Sequence, residues 1–347
     1  MKAENSVLIK NIYYMLAYAY KALRRDGFEK VAAESFDNIH DLFAAILIKG
    51  IEYQIKQGLT KEYVKSCRLQ KTLRGKIDIA GTVGQMTKRS KQLSCVYGVL
   101  TEDNLFNRIL KSAVILLLNH GEVKHENKIA LKKLLPLLSN VCDIKPLEIN
   151  WSLLSYRKGN ASYQMLIYLC RLLFEGMIIS HDGRVKLAKF LDGQHLCDLY
   201  ETFVRAYYER HYPQLNPRAA YVAWALDDKQ DMFLPGMYTD TMLESSDKVL
   251  IIDTKCYRRI LTQQYDKKSV CSANLYQIYA YVKNKTAVTD KGVSGMLLYA
   301  KTDEDITPNV VYSMGGNKIF VRTLNLNCEF EKIKEQLDEI VAENFTA

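Results

Sequence analysis

MYTDTMLESSDKVLIIDTK, residues 237–255, is the stretch that decides how this chain folds. Its second half opens with Val249, Leu250, Ile251 and Ile252, an unbroken apolar run that reads as a strand buried on both faces. The run then ends on Asp253-Thr254-Lys255. Side chains alternate along a strand, so Asp253 and Lys255 project from one face as neighbours. Charges at the end of a buried strand cost desolvation unless an ion or a partner satisfies them. The first half, Met237–Leu243, is a second strand with one acid, Asp240, in its middle. Between them, ESSDK (residues 244–248) has turn composition. The hairpin is predicted to set Asp240 beside Asp253.

Two carboxylates and a lysine at a strand end suit phosphodiester hydrolysis. The carboxylates would hold Mg²⁺, one ion or two, a hard cation that takes oxygen ligands and keeps waters. The lysine would orient or deprotonate the attacking water and offset charge on the phosphate. The same spacing also describes a buried Asp–Lys ion pair with no chemistry, and the pattern alone does not choose between them.

Downstream, Gln277 and Tyr281 lie four apart in NLYQIYAYV, on one face of a helix predicted over Ser272–Val282. Upstream, Glu201 projects from a helix predicted over Gln194–His211. Further short strands are expected at Tyr221–Trp224 and Gly295–Tyr299, which makes a mixed α/β sheet flanked by helices. An acid-bearing helix, a hairpin with D and D-x-K, then a helix with Q-x3-Y resembles the ordered signature of the PD-(D/E)xK nucleases. That resemblance implies catalytic roles for Asp240, Asp253, Lys255, Glu201, Gln277 and Tyr281, with Asp240, Asp253 and Glu201 as metal ligands. Two departures stand out: Thr239 rather than Pro precedes Asp240, and the second acid is Asp253 where many relatives carry Glu.

Matches continue along nearly the whole chain: NIYYMLAYAY (11–20), LRGKIDI (73–79), TEDNLFNRILKSA (101–113), LIIDTKCY (250–257) and NLYQIYAYV (274–282). In this order and at this length they resemble the McrC family, the nuclease subunits of McrBC modification-dependent, 5-methylcytosine-specific restriction systems. The resemblance implies an α+β N-terminal domain over residues 1–155 that docks on a hexameric AAA+ GTPase and stimulates it. It further implies a PD-(D/E)xK endonuclease domain over residues 156–347 acting on double-stranded DNA with modified cytosine. GTP would belong to the partner, and indeed no G-x4-G-K-[ST] or G-x-G-x-x-G occurs in this sequence. A stand-alone repair-type nuclease and an adaptor that only stimulates the partner's GTPase are the alternatives. The intact Asp240, Asp253 and Lys255 weigh against the adaptor.

Charge is uneven. The chain of 347 residues carries 48 Lys+Arg against 39 Asp+Glu, net +9; residues 1–150 hold 24 basic and 15 acidic side chains, residues 151–347 hold 24 of each. The excess therefore sits in the first half, and Lys61–Lys91 holds nine Lys/Arg and two acids among Tyr63, Leu69, Leu73 and Ile77. Such a surface fits phosphate contact, a partner ring or plain solvation. Arg258, Arg259, Lys267 and Lys268 follow the acidic strand closely and are assigned to the DNA backbone, which must pass there. Eight scattered cysteines without CxxC or zinc spacing point to a reducing compartment. Apolar runs such as Ala113–Leu118 are too short to span a bilayer. A cytoplasmic protein with no membrane partner is expected.

In the first half, helices are predicted over Ile9–Leu23, Phe36–Ile55, Asn104–Asn119 and Asn127–Leu138, and a strand or hairpin around Arg74-Gly75.

Overall fold

The apolar run Val249–Ile252 lies inside a six-stranded mixed sheet in a computed structural model of the chain. The structure describes residues 2–20, 36, 38–88, 90–157, 159–178, 194–228, 230–256, 261–264, 267–300 and 308–345. Helices α1 (Lys2–Ala19) and α2 (Ile39–Gln57) lead to β1 (Glu62–Gln70), β2 (Lys76–Ile77), α3 (Ile79–Thr87) and β3 (Leu93–Thr101). Then come α4 (Leu105–Asn119), α5 (His125–Leu134), α6 (Gln164–Ile178) and α7 (Gln194–His211). Strands β4 (Arg218–Val222), β5 (Met237–Glu244), β6 (Lys248–Lys255), β7 (Leu261–Gln264) and β8 (Lys267–Val270) precede α8 (Ser272–Ala287). The chain closes with β9 (Gly292–Ala300), β10 (Val310–Met314), β11 (Asn317–Leu324) and α9 (Phe330–Phe345).

The large sheet runs β10-β11-β9-β6-β5-β4. Strand β6 pairs in parallel with β9, and β9 with β11, while the remaining pairs are antiparallel. A parallel pair needs a crossover rather than a tight turn, and α8 supplies it between β6 and β9. Its Ile278, Tyr281 and Val282 pack with Val249 and Ile251 of β6, Leu297 and Tyr299 of β9, and Ile319 and Val321 of β11. By alternation, Asp253 and Lys255 continue the face that α8 covers, whereas Leu250, Ile252 and Thr254 face away from it. Helices α7 and α9 lie against β6 as well. All four residues of the apolar run are 1% exposed or less, which is why the run carries no polar alternation.

Two compact units emerge, one formed by residues 1–42 with 175–347, the other by residues 43–174. This division differs from a single cut at residue 155. Helix α1 belongs with the large sheet's unit: Asn11 Nδ2 donates to the carbonyls of Leu326 (2.7 Å) and Cys328 (2.8 Å). Tyr14 stacks on Phe330 at 4.2 Å between ring centroids, and the Tyr18 hydroxyl lies 2.9 Å from Nε2 of His211. Tyr14 and Tyr18 are four apart, so one stripe of α1 is aromatic and must be covered; α7 and the start of α9 cover it. Periodicity reveals such a stripe but not its partner. Both unit boundaries fall within helices, at 42/43 in α2 and 174/175 in α6, so no linker composition marks them.

The unit of residues 43–174 has a core of helices. Gly50 of α2 leaves room for Leu166 of α6, whose Cδ2 lies 2.2 Å from where a Cβ would sit. A buried polar knot joins its loops: Asn104 and Asn107 both donate to the Thr60 carbonyl, at 2.7 and 3.0 Å, and the Tyr163 hydroxyl donates to Asn107 Oδ1 at 2.9 Å. The hairpin expected around Arg74-Gly75 forms differently. Gly75 turns the chain at φ +72°, but the sheet order is β1-β3-β2, so β2 pairs with β3 and not with β1. From Ile79 the chain is helical in α3 rather than extended. The later strand β3 displaced β2 because it pairs along the whole of β1, from Glu62↔Thr101 to Gln70↔Leu93, against two pairs for β2. No described helix is long and apolar enough to cross a membrane.

Candidate active site

The β5–β6 hairpin forms as the sequence suggests, with Ser245 N–H bonded to the Lys248 carbonyl at 2.9 Å across its turn. Its ladder runs from Glu244↔Val249 to Thr241↔Ile252 and stops there. The next residues, Asp240 and Asp253, stand where the two strands part. On the β4 side the register slips: Ala220 pairs with Thr239 but Arg218 with Met242, so β5 carries an extra residue at Asp240-Thr241. Such a bulge bends a strand and re-aims side chains. Thr239 fills the gap by accepting from Ala220 N–H (3.1 Å) and donating to the Ala220 carbonyl (3.2 Å) through its hydroxyl. A threonine therefore holds the place before Asp240 by side-chain bonds that proline could not make.

Asp253 is 1% exposed, and its Oδ2 lies 2.6 Å from Lys255 Nζ. Lys255 is the partner of that oxygen, which has no other hydrogen-bond partner among the described residues. Burial pushes the carboxyl up to about 6; the Lys255 ammonium pulls against it, and Asp240 and Glu201 reinforce it. Lys255 Nζ also donates to Gln277 Oε1 at 3.1 Å, and Gln277 Nε2 donates to the Tyr281 hydroxyl at 2.9 Å. One turn of α8 thus carries both Gln277 and Tyr281 to the lysine. Gly295 of β9 permits the approach, since a Cβ there would meet Val282 Cγ2 at 2.6 Å and Ile278 Cγ1 at 2.8 Å.

Asp240 Oδ2 accepts two bonds from Thr254, from the backbone N–H and from the hydroxyl, each 2.7 Å. Glu201 of α7 receives Arg205 Nη1 at 3.0 Å, and the same nitrogen donates to the Asp240 carbonyl at 2.7 Å. Burial, then the charge of Asp240, raises the Glu201 carboxyl above its ordinary range, with Arg205 opposing. The structure therefore brings Asp240, Asp253, Lys255, Gln277 and Tyr281 into one cluster and sets Glu201 at its border through Arg205. Arg205 and Thr254 join the site from outside the sequence motif. Arg205 has a readable signal, four residues after Glu201 on the same helix face; Thr254 has none, because its role depends on where the ladder stops. Arg258 and Arg259 lie outside the described residues. Lys267 and Lys268 lie on β8, paired with Gln264 and Gln263, and their side chains are likewise outside the description.

The donor set is oxygen-rich, and the charge of Asp240 helps raise the proton affinity of both Asp253 and Glu201. A buried carboxylate beside two further acids is a set of hard oxygen donors, the kind a divalent cation takes. Asp240, Asp253 and Glu201 are the acids available to one, although their carboxylate oxygens do not all lie within 4.8 Å of one another and Glu201 is paired with Arg205.

A mixed sheet with a two-acid, one-lysine cluster where its hairpin strands part, and helices on either side carrying an acid and a glutamine–tyrosine pair, defines the class of this α/β protein. The chain belongs to the McrBC 5-methylcytosine restriction system component family, whose model matches residues 2–300. The type IV methyl-directed restriction enzyme EcoKMcrBC of Escherichia coli strain K12 is 26% identical over 340 residues, covering 96% of this chain and 97% of that protein. Two solved structures also resemble it. One is a half-complex from the tetradecameric assembly of Thermococcus gammatolerans McrB AAA+ hexamers with bound McrC, at 16% identity and TM-score 0.49, covering 96% of this chain and 76% of that one. The other is the Thermococcus gammatolerans McrBC complex, at 18% identity and TM-score 0.40, covering 60% and 59%.

Proposed function

We propose that this chain is the Mg²⁺-dependent endonuclease subunit of a GTP-driven restriction complex that cuts double-stranded DNA carrying modified cytosine. The observation that carries the reading is Asp253: a buried carboxylate 2.6 Å from Lys255, beside a second strand's acid. Asp240, Asp253 and Glu201 would hold the metal. Bound there, Mg²⁺ would polarise the scissile phosphate and make water a stronger acid. Lys255, steadied by Gln277, would orient the attacking water, take its proton or offset the growing negative charge on phosphate. Tyr281 would keep the Gln277 amide turned so that its oxygen meets the lysine. Arg258, Arg259, Lys267 and Lys268 would meet the DNA backbone.

The partner half of the proposal rests on the family and on the lack of a nucleotide-binding motif in this sequence. A hexameric AAA+ GTPase would bind GTP and recognise the modified base, and this chain would stimulate it. The stretch from β1 to the start of α3 offers a surface for it, with Tyr63, Leu73 and Ile79 exposed at 60–77% among lysines and arginines.

The test is to coexpress the chain with its GTPase partner and measure GTP- and methylation-dependent cutting. Asp253→Ala should abolish cleavage and leave GTPase stimulation intact. Cleavage retained by that variant would sink the nuclease assignment. Efficient cutting by the purified chain with Mg²⁺ alone would identify a stand-alone nuclease instead.

A further inference from the structure

We propose that Thr254 is a positioning residue that holds Oδ2 of Asp240 by two bonds and so commits Oδ1 to the metal. The inference rests on the reading of Asp240 as a metal ligand. Three observations lead to it. The β5–β6 ladder ends at Thr241↔Ile252, and the extra residue of β5 lies at Asp240-Thr241. Thr254 N–H thereby loses a backbone partner and turns to the Asp240 carboxylate at 2.7 Å. Its hydroxyl donates to the same oxygen at the same distance.

Two donors on one carboxylate oxygen fix the plane of that carboxylate, and bonds to an ionised acceptor are the stronger kind. Among the described residues no hydrogen bond reaches Oδ1 of Asp240. The Thr254 side chain alternates to the side of the strand away from Asp253 and Lys255, so its hydroxyl would act through Asp240. Threonine suits the task because β-branching restricts χ1 and keeps the hydroxyl aimed.

Thr254→Ser keeps the hydroxyl, Thr254→Val keeps the shape without it, and all variants keep the backbone N–H. With the full chain and Mn²⁺ as the probe ion, calorimetric titration should show Thr254→Val about tenfold weaker than wild type, the loss typical when an outer partner of a metal ligand is removed. Thr254→Ser should bind close to wild type. In the complete complex, kcat should fall for Thr254→Val with KM for DNA unchanged. Should Thr254→Val melt early, the pair Thr254→Ser and Thr254→Ala isolates the hydroxyl equally well. Wild-type Mn²⁺ affinity in a folded variant lacking the hydroxyl overturns the positioning role while leaving the metal site standing. Asp240→Asn is the separate control: if it binds Mn²⁺ like wild type, the metal assignment itself fails.

Discussion

Lys255 is held between an acid and an amide, 2.6 Å from Asp253 Oδ2 and 3.1 Å from Gln277 Oε1. A lysine so placed costs side-chain freedom and desolvation, and it competes with a divalent cation for the same carboxylate. Its removal should therefore separate binding from chemistry. Lys255→Met is expected to lower cleavage by about 10²–10⁴-fold, the usual range for a lost proton-transfer or charge-stabilising group. Mn²⁺ affinity should be equal to wild type or higher, because all three carboxylates remain and the competing ammonium is gone. Parallel loss of Mn²⁺ binding and cleavage would show that the lysine only supports the carboxylate. At this scale Asp240, Asp253 and Lys255 were legible from strand alternation, whereas Thr254 and Arg205 became visible only once strand ends and helix facing were known.

Element packing sets how close α8 comes to the lysine. Gly295 faces Ile278 and Val282 with no space for a side chain. Gly295→Val should push α8 off β9 and destabilise the chain by about 1–3 kcal/mol, as overpacking of a filled core does. Urea unfolding measures that loss, and cleavage should fall with it because Gln277 and Tyr281 ride on the same helix. At the far end of β5, Glu244 receives Arg218 Nη2 at 2.6 Å and Lys291 Nζ at 2.7 Å, joining β4, β5 and the turn before β9. Those two donors lower its carboxyl to about 2 from an ordinary 4.5. The native state thus binds fewer protons than the unfolded chain in that interval. Stability from Glu244 is complete above pH about 4.5 and disappears as pH falls toward about 2. Urea midpoints of wild type should exceed those of Glu244→Gln at neutral pH and converge with them at the acid end; a constant gap across that range would refute the ion-pair account.

Across the whole molecule, the first helix completes the last unit. Tyr14 and Tyr18 of α1 pack with Phe203, Tyr207 and Phe330, rings contributed by α7 and α9. A fragment of residues 156–347 would expose this aromatic surface and leave the carbonyls of Leu326 and Cys328 without Asn11. It is expected to melt well below the full chain and to bind hydrophobic dyes, since deleting even one buried aromatic side chain costs about 3–5 kcal/mol. Adding a peptide of residues 1–42 should raise its melting temperature. A fragment as stable alone as within the full chain would show that α1 is dispensable to the fold. The net charge of +9 has its excess in residues 1–150, while the cluster of acids lies among residues 201–253. Charge location and chemistry are therefore separate properties of this chain.

By itself the sequence determined what depends on local pattern. The run Val249–Ile252 had to be a buried strand because no polar residue interrupts it, and alternation then placed Asp253 and Lys255 together. The turn composition of residues 244–248 made the hairpin, and helical spacing put Gln277 and Tyr281 on one face of α8. Tertiary structure decided what depends on partners distant in the chain. β3 took the pairing with β1 that local alternation had offered to β2, because nine register pairs outweigh a short hairpin. The same holds for α1, whose aromatic stripe marked a buried face without naming the helices that cover it. It holds again at the site, where an extra residue in β5 ended the ladder and gave Asp240 to Thr254. Local pattern specifies which face of an element is buried; only packing against remote segments specifies against what.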